Sequence, residues 1–214
     1  MPSTAVSPGR LVRRVLPSRI ERWAAEAYRS WYVDLDSLGA AIATRAPMTS
    51  VIEVGCGEGA LANRLAPTAS ESFLGIDITQ GVGRNFTGNP ARCTFRTCEV
   101  AALVAEGASA ETVVVSDVIH HVPVAERVDF IAGVGRLRRS GGTLVVKEWE
   151  RLGNLAHQFA SFSDKYLTGD RHVQFLRRDE LEALVGTACP GLSVVDEVRI
   201  APRRNNLLMI FREG

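Results

Sequence analysis

The chain has 214 residues and 25 lysines and arginines against 24 aspartates and glutamates, a balance that sets up no field of one sign and argues against a nucleic-acid or acidic-membrane partner. Its length suits one larger domain that buries roughly 70% of its unfolded surface. No apolar run approaches a membrane span, Met1 to Leu16 lacks the apolar stretch of a secretion signal, and the four cysteines (Cys56, Cys93, Cys98, Cys189) form no C-x-x-C pair or zinc spacing, so a soluble protein of the reducing cytoplasm is expected.

Met1 to Gly9 is rich in Pro, Ser and Thr and is read as a fraying end. From Ser18 as N-cap, Arg19 to Leu38 carries Ile20, Trp23, Ala24, Ala27, Tyr28, Trp31 and Leu35 at helical intervals, and the helical pattern runs on to Arg45 before Pro47 ends it. This aromatic stripe reads first as helix packing on a sheet, with Trp23, Tyr28, Trp31 and Tyr32 as an alternative cover for a pocket. Val51 to Val54 is strand-like and runs into Gly55-Cys56-Gly57-Glu58-Gly59, followed by an alanine- and leucine-rich segment. Strand, tight turn and a helix from near Glu58 are predicted. Glycines at alternate positions let a ligand lie against the main chain, and the helix start offers unpaired amides. The dinucleotide form G-x-G-x-x-G and the phosphate-loop ending Gly-Lys-Ser/Thr are both absent.

Ser72 to Ile78 is a second strand ending in Asp77, which comes 24 residues after Glu53. That is near the interval of about 20 residues at which βαβ units place an acid on ribose hydroxyls, and a carboxylate accepts from both hydroxyls of one sugar. Gly81 and Gly83 then make a regular helix costly, so a short or broken one is expected. Cys93 to Thr97 is the third strand and Ala101 to Glu106 a helix. Glu111 to Ser116 contains three consecutive valines, the mark of a strand buried on both faces, and leads into Asp117-Val118-Ile119-His120-His121. Val124 to Arg139 is read as an amphipathic helix closed by Ser140-Gly141-Gly142. A fifth strand over Thr143 to Glu150 puts Lys147, Glu148 and Glu150 at its carboxyl end. A helix over Arg178 to Val185 and strands over Leu192 to Ile200 and Asn206 to Arg212 complete the chain.

Glu53-x-Gly55-x-Gly57-x-Gly59, the acid at Asp77, the strand ending in Asp117 and the helix, Gly-Gly, strand sequence after it resemble, in order and spacing, the class I S-adenosylmethionine-dependent methyltransferases. The resemblance covers nearly the whole span from Val51 to Phe211. It implies an α/β fold, Rossmann-like and doubly wound, with a seven-stranded mostly parallel sheet, a C-terminal antiparallel hairpin and an N-terminal helical extension. It divides a single methyltransferase-like domain (1–214) into the extension (1–48), a cofactor-binding core (49–150), a substrate-cap insertion (151–178) and a C-terminal helix and hairpin (179–214). The cofactor implied is S-adenosyl-L-methionine. Glu53, Gly55, Cys56, Gly57 and Gly59 would meet its methionine and ribose portions, Asp77 with Ile78 its ribose side, Glu99 flanked by Cys98 and Val100 its adenine, and Asp117 its methionine end. Glutamate at 99, where the family more often has aspartate, lengthens that reach by one methylene.

The chemistry implied is a direct displacement at the sulfonium methyl, in which alignment and proximity do much of the work. A neutral imidazole suits proton acceptance near neutrality, so His120 and His121 are candidate catalytic residues beside Glu148, with packing of the loop as the other reading of either histidine. Tyr166, Asp170 and His172, in the individual stretch from Asn154 to Phe175, are candidate substrate contacts or plain loop surface. No acidic metal cluster is recognisable in the sequence, and no metal is expected. A small-molecule acceptor in biosynthetic metabolism is the expected partner, without nucleic acid or membrane, and pairing of subunits stays open. The rivals are a methyltransferase fold turned to elimination, cyclisation or scaffolding, and a nucleic-acid or protein methyltransferase, which the charge balance disfavours.

Overall fold

A computed structural model describes residues 33–152, 173–203 and 205–214. The aromatic stripe of Trp23, Tyr28, Trp31 and Tyr32 and the substrate candidates Tyr166, Asp170 and His172 lie outside them. Helix α1 (Leu35–Arg45) begins after Asp34, inside the stretch that the sequence reads as one helical pattern. Val33 forms a bridge with Pro202, Asp34 N–H donates to the Ala201 carbonyl at 2.8 Å, and the Asp34 carboxylate caps the helix by accepting from the N–H groups of Asp36 and Ser37. An aspartate N-cap satisfies amides that the first helical turn leaves without partners, and it starts the helix here.

Seven strands follow: β1 (Ser50–Val54), β2 (Ser72–Asp77), β3 (Cys93–Thr97), β4 (Ala110–Ser116), β5 (Arg138–Trp149), β6 (Leu192–Ile200) and β7 (Asn206–Glu213). They form one sheet in the order β3-β2-β1-β4-β5-β7-β6. The first five run parallel, and β7 lies antiparallel to both β5 and β6. Helices cover both faces. Ile52, Val54, Val113, Val115, Leu144 and Val146 pack on one side with Ile131 and Val134 of α4 (Arg127–Arg136) and Leu181 and Val185 of α5 (Arg178–Ala188). The alternate residues Val51, Phe73, Val114, Val145, Leu208 and Ile210 pack on the other with Leu38 and Ile42 of α1. The period of two in the strands thus feeds two apolar layers.

Three expectations of local structure are corrected. The helix after the glycine turn, α2, covers only Ala62–Leu65, because Gly59 stays left-handed at φ +87 and residues 57–61 run as turns. Ser140-Gly141-Gly142 does not cap the helix after β4; α4 ends at Arg136 and the glycines belong to β5. There they form an irregularity where pairing jumps from Ala110–Arg138 to Thr112–Thr143. Gly141 has φ +71, and a Cβ on Gly142 would come within 2.5 Å of the Glu111 carbonyl oxygen, so the bulge needs both glycines. The segment after Asp77 contains no helix, and α3 (Val100–Ala105) follows β3.

Candidate cofactor and methyl-transfer site

The parallel strands β1, β2 and β4 point their carboxyl ends at one crevice, where open α/β sheets bind ligands. The turn after β1 is tied to β2 on both sides. Gly55 and Cys56 N–H donate to the Ile76 carbonyl at 2.8 and 3.0 Å, and Gly57 N–H donates to Asp77 Oδ2 at 2.8 Å. Asp77 Oδ1 accepts from Thr79 N–H at 2.8 Å. Gly55 and Gly57 have φ +75 and +51. A Cβ on Gly55 would lie 2.2 Å from Val118, whereas one on Gly57 would meet nothing within 4 Å. The turn is therefore tight beneath Gly55 and open above Gly57, leaving room for a ligand against the backbone.

The glycine-broken segment after Asp77 has a structural task. Gly83 N–H donates to the Gly57 carbonyl at 3.0 Å, Asn85 N–H to the Glu58 carbonyl at 2.9 Å, and Asn85 Nδ2 to Glu58 Oε2 at 2.6 Å. Phe95 lies so close to Gly83 and Gly75 that a Cβ on either would come within 2.3 and 2.7 Å of its ring. Asn63, donating to the Gly59 and Asn85 carbonyls, closes the packing. Glu58, Asn63 and Asn85 carry no signal in the sequence; only the unusual glycines hint at a second loop lying on the first.

Glu53 is 2% exposed on β1, and its Oε2 has no hydrogen-bond partner among the described residues. Burial, and then the charge of Asp77, push its carboxyl up to about 8. Burial likewise pushes the Cys56 thiol far above the ordinary range, with Glu53 and Asp77 adding to it, so Cys56 shapes the turn and is no nucleophile at neutral pH. Ile78 is 74% exposed immediately beyond Asp77. Glu99 is exposed at the N-cap position of α3, and its side chain makes no capping bond; Cys98 N–H donates to the Asp77 carbonyl at 3.0 Å, and Val100 opens α3.

At the end of β4, Asp117 takes φ +55 and turns the chain into a 3-10 turn, Ile119–His121. Glu148, at the carboxyl end of β5, is buried, as is Glu150. Glu148 Oε1 accepts from Val118 N–H at 3.0 Å and Ile119 N–H at 2.7 Å, and its Oε2 lies 2.6 Å from His120 Nδ1. His120 is buried, with its ring 4.1 Å from that of His121 and 4.8 Å from that of Phe175. His121 is exposed. Asp117, His120 and Glu148 bring potential ligand atoms within 4.8 Å of one another, a grouping that the sequence does not reveal because its members are separated by up to 31 positions. Lys147 Nζ already occupies Asp117 Oδ2 at 2.5 Å, and Glu148 already accepts from two backbone amides. The pairing of Lys147 with Asp117 is equally hidden in the sequence. Among the described residues, no helix is long and apolar enough to cross a membrane.

Residues 51–142 match the family model described as a methyltransferase domain, which spans the glycine turn, Asp77, Asp117 and the histidine pair. No curated protein matches the chain by sequence. Among solved structures, the chain is similar to the magnesium protoporphyrin IX methyltransferase from Synechocystis PCC 6803 with bound SAH, at 21% identity and a TM-score of 0.63 over 84% of this chain and 82% of that one. It is also similar to the pyocyanin biosynthetic protein PhzM, at 14% identity and 0.70 over 94% and 60%. The mitomycin 7-O-methyltransferase MmcR aligns at 14% identity and 0.65 over 84% of this chain, which spans only 54% of that protein's length. At such identities the structures speak for the fold, and the family model adds the methyltransferase domain. Residues 51–142 thus match a methyltransferase domain, in a chain whose fold is similar to that of solved methyltransferases.

Proposed function

We propose that the protein transfers a methyl group from S-adenosylmethionine to a small-molecule acceptor in biosynthetic metabolism of the cytoplasm. The observation that carries this reading is the convergence on one crevice of an open glycine turn, a buried carboxyl oxygen without a partner on Glu53, and the Asp117–His121 turn. Similarity to methyltransferases named for small molecules supports the acceptor class. The glycine-broken segment after Asp77 packs on the glycine turn and completes it.

Bound S-adenosylmethionine supplies an electrophilic methyl on a sulfonium, whose charge is lost on transfer, so a site that excludes water favours the reaction. Gly55, Cys56, Gly57 and Gly59 provide the backbone bed. Asp77, already fixed by two amides, offers its remaining lone pairs to ribose hydroxyls, since each carboxylate oxygen accepts more than one bond. Ile78 lies beside Asp77 on the ribose side, Cys98, Glu99 and Val100 line the adenine side, and Glu53 and Asp117 the amino-acid side. His121, exposed against His120, accepts the acceptor's proton. His120 donates through Nδ1 to Glu148, which fixes its tautomer and holds the loop. Tyr166, Asp170 and His172 remain the proposed acceptor contacts.

Calorimetric titration with S-adenosylmethionine and S-adenosylhomocysteine tests this reading. Micromolar binding of either is expected, followed by methyl transfer to an acceptor from a small-molecule panel; a folded protein that binds neither would refute it.

A further inference from the structure

Two adjacent residues at the end of β5 hold the loop after β4 from opposite faces of the sheet. Glu148, on one face, accepts the amides of Val118 and Ile119. Lys147 holds Asp117 twice: its carbonyl accepts Asp117 N–H at 2.9 Å, and its ammonium donates to Asp117 Oδ2 at 2.5 Å. Lys147 stands on the face that carries Glu53, because Glu53 is level with Val114, and Ser116, two residues further along β4, is level with Lys147.

Asp117 is the sole non-glycine residue with positive φ among the described residues. A left-handed backbone costs an ordinary residue about 1–2 kcal/mol and persists where the surroundings over-determine it. Aspartate tolerates this conformation better than most residues, and Lys147 adds two contacts that fix it. Its side chain is 2% exposed, whereas that of Asp117 is 37% exposed. Burying an ammonium is expensive, and an apolar residue in such a place is often as stable. The pair is therefore a poor device for stability alone and a good one for fixing a carboxylate at the mouth of the crevice.

We infer that Lys147 is a positioning residue of the cofactor site, holding Asp117 in its left-handed turn so that the carboxylate faces the amino-acid portion of the ligand. The inference rests on the S-adenosylmethionine reading above. It separates the two ends of the ligand: loss of Lys147 weakens binding of a molecule that has the amino-acid portion and spares one that lacks it.

The test is calorimetric titration of the full chain with S-adenosylhomocysteine and with 5′-methylthioadenosine, which lacks that portion. Lys147→Met is expected to lower affinity for S-adenosylhomocysteine about tenfold or more, and for 5′-methylthioadenosine by less than about twofold. Lys147→Arg, which keeps a cationic donor, restores most of the loss. The double variant Lys147→Met with Asp117→Asn loses no more than the weaker-binding single variant, because the two residues act as one unit. Unchanged affinity for S-adenosylhomocysteine, or an equal loss for both ligands, would overturn the inference. Should Lys147→Met fail to fold, Asp117→Asn carries the same comparison with the same two overturning results. If the unmodified protein, folded, binds neither ligand, the cofactor reading falls and this inference with it.

Discussion

Gly57 donates its backbone N–H to Asp77 Oδ2 at 2.8 Å, so the acid proposed for ribose also fixes the glycine turn. With Thr79 N–H on the other oxygen, the carboxylate has a single orientation before any ligand arrives. Asp77→Ala removes both functions and should weaken S-adenosylhomocysteine binding at least about tenfold. Asp77→Asn turns an amide NH2 toward one of the two backbone donors and should lose nearly as much. Calorimetric titration of both variants decides; an Asp77→Asn protein that binds as tightly as the unmodified one would show that the charge has no part in holding the turn or the ribose.

The turn glycines should separate folding from binding. Gly55→Ala drives a Cβ to within 2.2 Å of Val118, while Gly57→Ala meets nothing within 4 Å, although both carry positive φ. Gly57→Ala should cost about 1–2 kcal/mol of stability for its left-handed backbone yet abolish measurable cofactor binding, because the methyl group enters ligand space. Gly55→Ala should lower stability by more than that amount, on the order of 3 kcal/mol. Urea denaturation beside calorimetry gives both numbers, and equal stability losses would contradict the assigned geometry.

Much of the architecture is legible in the sequence because it depends on local pattern. The bounds of β3 and β6 read from the sequence, Cys93–Thr97 and Leu192–Ile200, coincide with those observed, since β-branched and aromatic runs between turn residues define strands. The glycine turn is legible for the same reason. The start of α1 is obscured because Asp34 lies inside an apolar periodicity of the sequence, while the bridge from Val33 to Pro202 and the bond from Asp34 to Ala201 that set it are made to the far end of the chain. The structural work of Glu148, a catalytic candidate in the sequence, is not legible there because its partners, Val118, Ile119 and His120, lie on another strand's loop about 30 positions away. Polar pairs made across a sheet leave no periodic trace.

Glu53 gives the protein a pH dependence with a definite sign. Its carboxyl is raised from an ordinary 4.5 to about 8 by burial and by Asp77, so the folded state binds a proton that the unfolded state releases. The stabilisation is complete below about pH 4.5 and is lost as pH rises toward 8. Over that window Glu53 should cost the unliganded protein a few kcal/mol, at about 1.4 kcal/mol for each step of one in pH. Glu53→Gln, which carries no titrating proton, should flatten this part of the profile. Urea denaturation at about pH 5.5 and about pH 8 compares the two proteins across the range in which the folded carboxyl keeps its proton and the unfolded one does not. An unchanged slope in Glu53→Gln would assign the dependence elsewhere.

Glu148 and the histidine pair divide structural from chemical work. Glu148→Ala leaves the Val118 and Ile119 amides without the carboxylate that accepts from them and removes its contact with His120 Nδ1, a loss on the order of 3 kcal/mol for buried amides left unsatisfied. His120→Ala should show part of the same loss, because its ring packs between His121 and Phe175. His121 is exposed and should behave oppositely. His121→Ala should retain stability and S-adenosylhomocysteine affinity while slowing turnover about 100-fold, the lower range for a lost general base. Denaturation, calorimetry and, once an acceptor is found, kcat against pH measure these effects; full turnover in His121→Ala together with an unchanged pH profile would remove that histidine from the chemistry and leave alignment of the reactants as the main contribution.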